Sequence, residues 1–163
     1  MGLSDHPSGG VYVNASAPAS PLPTDGDNVA IGDGDGYGDI AVGVPGEDLG
    51  SVRDAGAVIL VPGQAGGPTG AGSATITQDS AAVPGTAEPD DRFGDAVRLS
   101  DTNADGKADL AIGASGENNS DGAIWSLRGA SSGITTTGAV SYGVTTLGVS
   151  ATGTPRLGTP ITS

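Results

Sequence analysis

The chain has 163 residues, no cysteine and a formal charge of −13 at pH 7. That charge disfavours nucleic acid and anionic membrane surfaces, and the missing cysteines exclude disulfides and thiolate metal sites. No apolar run approaches the roughly 18 residues needed to span a bilayer.

Leu, Ile, Val and Phe together make up 31 of 163 residues, beside 30 Gly and 11 Pro. Such a composition borders on that of disordered chains. The apolar residues, however, gather in short runs bounded by Gly, Pro and Asp. That distribution predicts a thin-cored all-β protein.

In chain order, Met1-Gly-Leu-Ser-Asp-His-Pro lacks the basic and apolar parts of a secretory signal. A first strand is expected at Gly9-Gly-Val-Tyr-Val13, and Asn14 to Thr24 reads as a Pro/Ser/Ala-rich linker. The acidic loop Asp33-Gly-Asp-Gly-Tyr-Gly-Asp39 follows and runs into the strand Ile40-Ala-Val-Gly-Val. Further strands are expected at Gly56-Ala-Val-Ile-Leu-Val61 and Ser73-Ala-Thr-Ile-Thr-Gln78. Arg92-Phe-Gly-Asp-Ala-Val97 opens another strand that reaches Ser100. A second loop, Asp101-Thr-Asn-Ala-Asp-Gly-Lys-Ala-Asp109, precedes Leu110-Ala-Ile-Gly-Ala-Ser115, and Gly122-Ala-Ile-Trp-Ser-Leu127 follows. Helical periodicity is almost absent.

The loop at 101–109 places oxygen side chains at positions 1, 3, 5 and 9: Asp101, Asn103, Asp105 and Asp109. Lys107, at position 7, can offer its backbone carbonyl, and Gly106 allows a sharp turn. A hard cation with six to eight oxygen ligands suits this donor set, so calcium is expected. Three carboxylates drawn together repel one another, which favours a bound cation in the folded loop. Magnesium prefers strict octahedral geometry, and zinc would lack ligands, since His6 is the single histidine. An EF-hand needs Glu at position 12, where this chain has Ile112, and it needs helices where strands are expected here. The metal-free alternative is an Asp/Asn/Gly turn.

The loop at 33–39 offers Asp33, Asp35, the Tyr37 carbonyl and Asp39, one ligand fewer. Counted back from Asp39, Asp35 and Asp33 fill positions 5 and 3, and position 1 falls on Ile31. Alternatively Asp33 fills position 1 and position 3 is lost. The second alignment pairs Val29 with Val97 and Ile31 with Leu99, and is preferred. Metal at this loop is expected to bind more weakly than at 101–109.

The segments recur. Gly56 and Gly122 lie 66 residues apart, and Arg92-Phe-Gly94 is echoed at Arg156-Leu-Gly158, 64 residues on. A unit of roughly 65 residues with about four short strands has the content of a propeller blade. At these residues the chain resembles the FG-GAP repeat family, which includes the integrin α-subunit head propeller and bacterial surface proteins. Phe93-Gly94 matches the FG element, Val42-Gly-Val-Pro45 matches the GAP element, and Ile112-Gly-Ala-Ser115 matches it with Ser for Pro. In the first unit Asp25-Gly26 stands in the FG place.

The resemblance implies β-propeller-type blades of four short antiparallel strands, about two and a half of them. It implies calcium in the hairpin loops, an extracellular or cell-surface setting, and protein or glycan ligands bound through inter-blade loops. The expected organisation is a preceding blade strand plus linker over 1–24, repeats over 25–91 and 92–154, and a further repeat beginning at 155–163. A partial ring calls for additional blades in a longer chain or for homo-oligomers. The alternatives are an accessory, non-catalytic propeller segment of a secreted hydrolase, or a self-associating structural fragment.

No catalytic constellation is expected. Ser115 lacks the nucleophile-elbow pattern, and the carboxylates Glu88, Asp90 and Asp91 have no fixed catalytic spacing. Glu47, Asp48, Glu117 and Asp121 read as solvated connector charges. Trp125 reads as blade core.

Overall fold

The computed structural model describes residues 12–15, 33 and 35–159. It contains eight strands: β1 (Tyr12–Ala15), β2 (Ile40–Val44), β3 (Ala57–Val61), β4 (Ala74–Ile76), β5 (Phe93–Ser100), β6 (Asp109–Ala114), β7 (Ala123–Ala130) and β8 (Gly133–Gly143). They form two four-stranded sheets, β1-β2-β3-β4 and β5-β6-β7-β8, antiparallel throughout. Each sheet is a meander in which chain neighbours pair, the topology of a propeller blade. Among the described residues the one helical segment, Glu117–Ser120, is a single turn with left-handed Asn118 and Asn119. The fold is all-β, a partial β-propeller.

β2 and β3 are rich in β-branched residues, which pack well on a pleated surface. Their register, from Ile40↔Val61 to Val44↔Ala57, puts Ala41, Gly43 and Val58 on one face. Ile40, Val42, Ile59 and Val61 fall on the other. In the second blade the register aligns Leu110 with Leu127 and Ile112 with Trp125 on one face. The core lies between the sheets. Ala41, Val58 and Ile76 of the first blade meet Leu99, Leu110, Ile112, Trp125 and Leu127 of the second. Phe93 meets Trp125 edge-on, with ring centroids 5.2 Å apart at 72°. The Trp125 indole donates to the Pro84 carbonyl at 2.8 Å, so its polar atom is satisfied inside the core. The expected core role of Trp125 holds.

The Phe-Gly element forms the seam between blades. The Arg92 and Phe93 amides donate to the carbonyls of Asp54 and Ala55 at 3.0 and 2.9 Å, and Phe93 bridges Gly56 in parallel. Gly94 has a φ of 93° and lies against Gly43. The same seam recurs after the second blade. The Arg156 and Leu157 amides donate to Ser120 and Asp121, Leu157 bridges Gly122, and Gly158 lies against Gly113.

One expectation changes. The strand at Tyr12–Ala15 does not belong to a preceding blade: it pairs with β2, with Tyr12 opposite Gly43 and Ala15 opposite Ile40. It thereby takes the place that Ala96–Leu99 hold beside β6. The described chain therefore has two complete sheets and the start of another unit, rather than a half blade before the first. The segments Asp25-Gly26 and Val29–Ile31, expected near that place, lie outside the described residues, as does His6. β8, eleven residues long, was not singled out from the sequence, because its Thr- and Gly-rich run has no strict apolar alternation.

Candidate metal-binding loops and a carboxyl cluster

The loop at 101–109 joins β5 to β6 at one end of the second blade. Its Asx side chains fold back on the backbone in a ladder. The Asp101 carboxylate accepts from the amides of Asp105 at 3.2 Å and Gly106 at 2.8 Å. Asn103 Oδ1 accepts from Asp105 at 2.9 Å, and Asp105 Oδ1 accepts from Lys107 at 2.9 Å. Ala104 and Gly106 turn the chain with φ of 61° and 86°. The Gly106 amide, first among several, holds the Asp101 carboxyl below the usual carboxylate range, so it stays ionised.

Asp109 differs from these three because it is buried. Its Oδ1 accepts from the Gly129 amide at 3.0 Å and the Asn103 side chain at 3.4 Å. Its Oδ2 accepts from the amide of Thr102 at 3.2 Å and from the Thr102 hydroxyl. Asp109 thus ties the loop to the end of β7.

The loop at 33–39 repeats the pattern. Asp33 Oδ1 accepts from Asp35 at 2.9 Å, and Asp35 Oδ1 from Tyr37 at 2.8 Å. Buried Asp39 accepts from the Gly63 amide at 2.7 Å, tying its loop to the chain after β3. Asp33, Asp35, Tyr37 and Asp39 therefore do what Asn103, Asp105, Lys107 and Asp109 do. This corrects the preferred alignment: Asp33 stands at position 3, and position 1 is the one without an Asx residue.

The ladder brings the expected oxygens onto one short loop, and all of them suit a hard cation. It does not bring them to one point. Among the described residues, no three carboxylate or imidazole side chains are drawn into a preformed metal-binding group. The side-chain oxygens of Asp101, Asn103 and Asp105 are turned onto loop amides, which leaves the donor set in place with its charges spread.

A second acidic group was not anticipated. Asp91, 2 % exposed, accepts from the Glu88 amide at 2.7 Å and is hydrogen-bonded to Glu117. Glu117 in turn accepts from the buried Gln78 side chain at 2.7 Å. Burial raises the Asp91 carboxyl to about 6, with repulsion from Glu117 and Glu88 adding to it. Burial also raises Glu117. Glu117 is thus no solvated connector charge: the Gln78 contact, 39 residues away in sequence, draws it into the seam. No local pattern signals this cluster.

Ser115, in the Pro place of the second GAP element, is fully buried and donates its hydroxyl to Asp95. Asp95 also pairs with Arg92 at 3.0 Å. These bonds occupy the side chain in a structural role.

The FG-GAP repeat family model matches residues 33–61 and 93–127. Each match runs from one blade's acidic loop or Phe-Gly strand through its third strand. Over those residues the chain carries two FG-GAP repeats. No curated protein matches the chain. FG-GAP repeats form propeller-type binding modules that are generally non-catalytic and typical of extracellular or cell-surface proteins. Among the described residues, no helix is long and apolar enough to cross a membrane.

Proposed function

We propose that this FG-GAP chain is a calcium-stabilised binding module of an extracellular or cell-surface protein, engaging a protein or glycan through its inter-blade loops. The observation that carries the calcium part is the shared Asx ladder of the two loops. Two segments 70 residues apart hold the same oxygens by the same hydrogen bonds. A turn needs far fewer carboxylates. Asp101, Asn103, Asp105, Asp109 and the Lys107 carbonyl would hold the ion in the second loop, and Asp33, Asp35, Asp39 and the Tyr37 carbonyl in the first. The ion would draw the loop's oxygens together and offset the negative charge of its carboxylates, so its effect is structural. The repeats are proposed to run over 25–91 and 92–154, with another unit from 155, supported by the second seam at Leu157.

Calorimetric titration with calcium, paired with melting curves, tests the reading. Millimolar calcium should give binding heat and a higher melting temperature, and Asp105→Ala should weaken both. No heat and no shift in the unaltered chain would overturn it.

A further inference from the structure

Both acidic loops carry an exposed Asp followed by Gly, Asp105–Gly106 in one and Asp35–Gly36 in the other. The nitrogen of a glycine can approach the side-chain carbon of the Asp before it, because no Cβ stands in the way. Gly106 has a φ of 86° and Gly36 of 96°, and a Cβ built on either would meet nothing within 4 Å. In each loop the next amide donates to the Asp carboxyl, Lys107 to Asp105 Oδ1 at 2.9 Å and Tyr37 to Asp35 Oδ1 at 2.8 Å. That donor holds the carboxyl beside the main chain and stabilises negative charge on its oxygen during attack at its carbon. One contact sets the loops apart. The Gly106 amide donates to Asp101 Oδ2 at 2.8 Å. The equivalent of Asp101 in the first loop is Ile31, whose side chain cannot accept a proton.

We propose that Asp105 isomerises spontaneously to isoaspartate, with the Gly106 nitrogen as nucleophile and Asp101 as the base that takes its proton. The nitrogen bonds to Cγ of Asp105 in its carboxylic-acid form. The amide proton passes through Asp101 to the departing hydroxyl, and water leaves. Water then reopens the five-membered imide. Opening at the side-chain carbonyl restores Asp, and opening at the main-chain carbonyl gives isoaspartate. Mass is unchanged overall, and nothing is oxidised or reduced. In the product the main chain runs through Cβ and Cγ and is one methylene longer. The carboxylate then sits directly on Cα, so the side chain that accepts from Lys107 is gone. Loss of a cation donor at that place rests on the calcium reading, and the isomerisation itself does not. Asp121–Gly122 provides a contrast. The Gly122 amide donates to the Glu117 carbonyl at 2.9 Å and packs against Leu157 in the seam. No carboxylate receives its proton, and the packed seam resists a longer main chain.

The test incubates the whole chain in chelator at neutral pH, which keeps the outcome independent of whether the loop binds calcium. Samples taken over time are digested, and electron-transfer fragmentation scores each Asp–Gly peptide for isoaspartate. Water labelled with oxygen-18 marks every passage through the imide. Asp105 should convert roughly tenfold faster than Asp35, a modest share of what a positioned general base contributes. Asp121 should stay unmodified over the same time. Asp101→Asn keeps an oxygen for the Gly106 amide but removes the base. In that variant Asp105 should slow to the Asp35 rate, with Trp125 fluorescence reporting that the core is retained. In urea, where the fold no longer sets Asp101 on Gly106, the gap between the two loops should close. Equal rates in the folded chain overturn the proposal. So does a gap that survives in urea, or a folded Asp101→Asn variant that isomerises as fast as the unaltered chain.

Discussion

Gly43 and Gly94 meet across the blade seam so closely that a methyl built on Gly43 would overlap the Gly94 carbonyl. One belongs to the GAP strand and the other to the Phe-Gly element, so the two motif halves are linked by a single steric requirement. Gly113 and Gly158 repeat the contact one unit later. Overpacking of this kind costs about 1–3 kcal/mol, and the obstacle here is backbone on both sides. Gly43→Ala is therefore expected to lower unfolding free energy by about 2–3 kcal/mol in a urea titration. Gly46→Ala is the control. Its new methyl would come no nearer than 3.6 Å to Asp54 Oδ1, so it should be close to neutral.

Asp91 makes the seam sensitive to pH. Its folded carboxyl titrates at about 6, above the ordinary value of 3.8, because burial disfavours the charge. The folded state therefore holds a proton that the unfolded state has lost between these values. Stability should fall as pH rises from about 4 to about 6, then level off. Glu117, raised by the same burial, acts in the same direction. Asp91→Asn keeps an oxygen for the Glu88 amide and removes the charge. It should stabilise the chain at pH 7 by about 1–2 kcal/mol, allowing for partial hydration of the cleft, and flatten the slope below pH 6. Chemical unfolding at pH 4, 5, 6 and 7 checks both expectations. An unchanged slope in the variant would remove Asp91 as its source.

The Trp125 indole contributes a bond as well as bulk. It reaches the Pro84 carbonyl, 41 residues earlier, while its ring meets Phe93. Trp125→Phe keeps an aromatic ring in the core but leaves that carbonyl without its donor and a void where the second ring stood. A loss of about 2–4 kcal/mol is expected, read as a lower midpoint in the same urea titration. A cost near that of a single methylene would mean that the Pro84 bond contributes little.

Local grammar made most of the fold legible. The strands beginning after Gly56 and Gly122 stand where their apolar runs predict, because those runs are buried on a face of their own blade. The loop at 101–109 was readable because Asx spacing alone specifies its turns. The role of Tyr12–Ala15 was not readable. Its Gly-start pattern resembles a third strand, yet partner choice is set by distant β2 rather than by its own residues. Glu117 and Gln78 were missed for the same reason: their pairing exists only once two blades meet. Ser115 stood out as a departure from Pro, but its partner Asp95, 20 residues earlier, becomes visible only in the folded seam.

Asp105 and Asp109 separate the two possible roles of the acidic loop. Asp105 is exposed and bonds only within the loop through the Lys107 amide, so its removal should scarcely change stability in chelator. Asp109 is buried and receives the Gly129 amide together with the Thr102 amide and hydroxyl. Asp109→Ala would leave those donors unpaired, at a cost of about 1–3 kcal/mol for a stranded buried group. It should therefore destabilise the second blade even without metal. If calcium occupies the loop, a third measurement distinguishes the variants: the melting temperature gained on adding calcium should shrink in Asp105→Ala from an unchanged baseline, and in Asp109→Ala from a lowered one. Equal baselines in chelator would mean that the Asp109 tie to β7 is energetically idle. The loop would then be held by its own Asx turns alone.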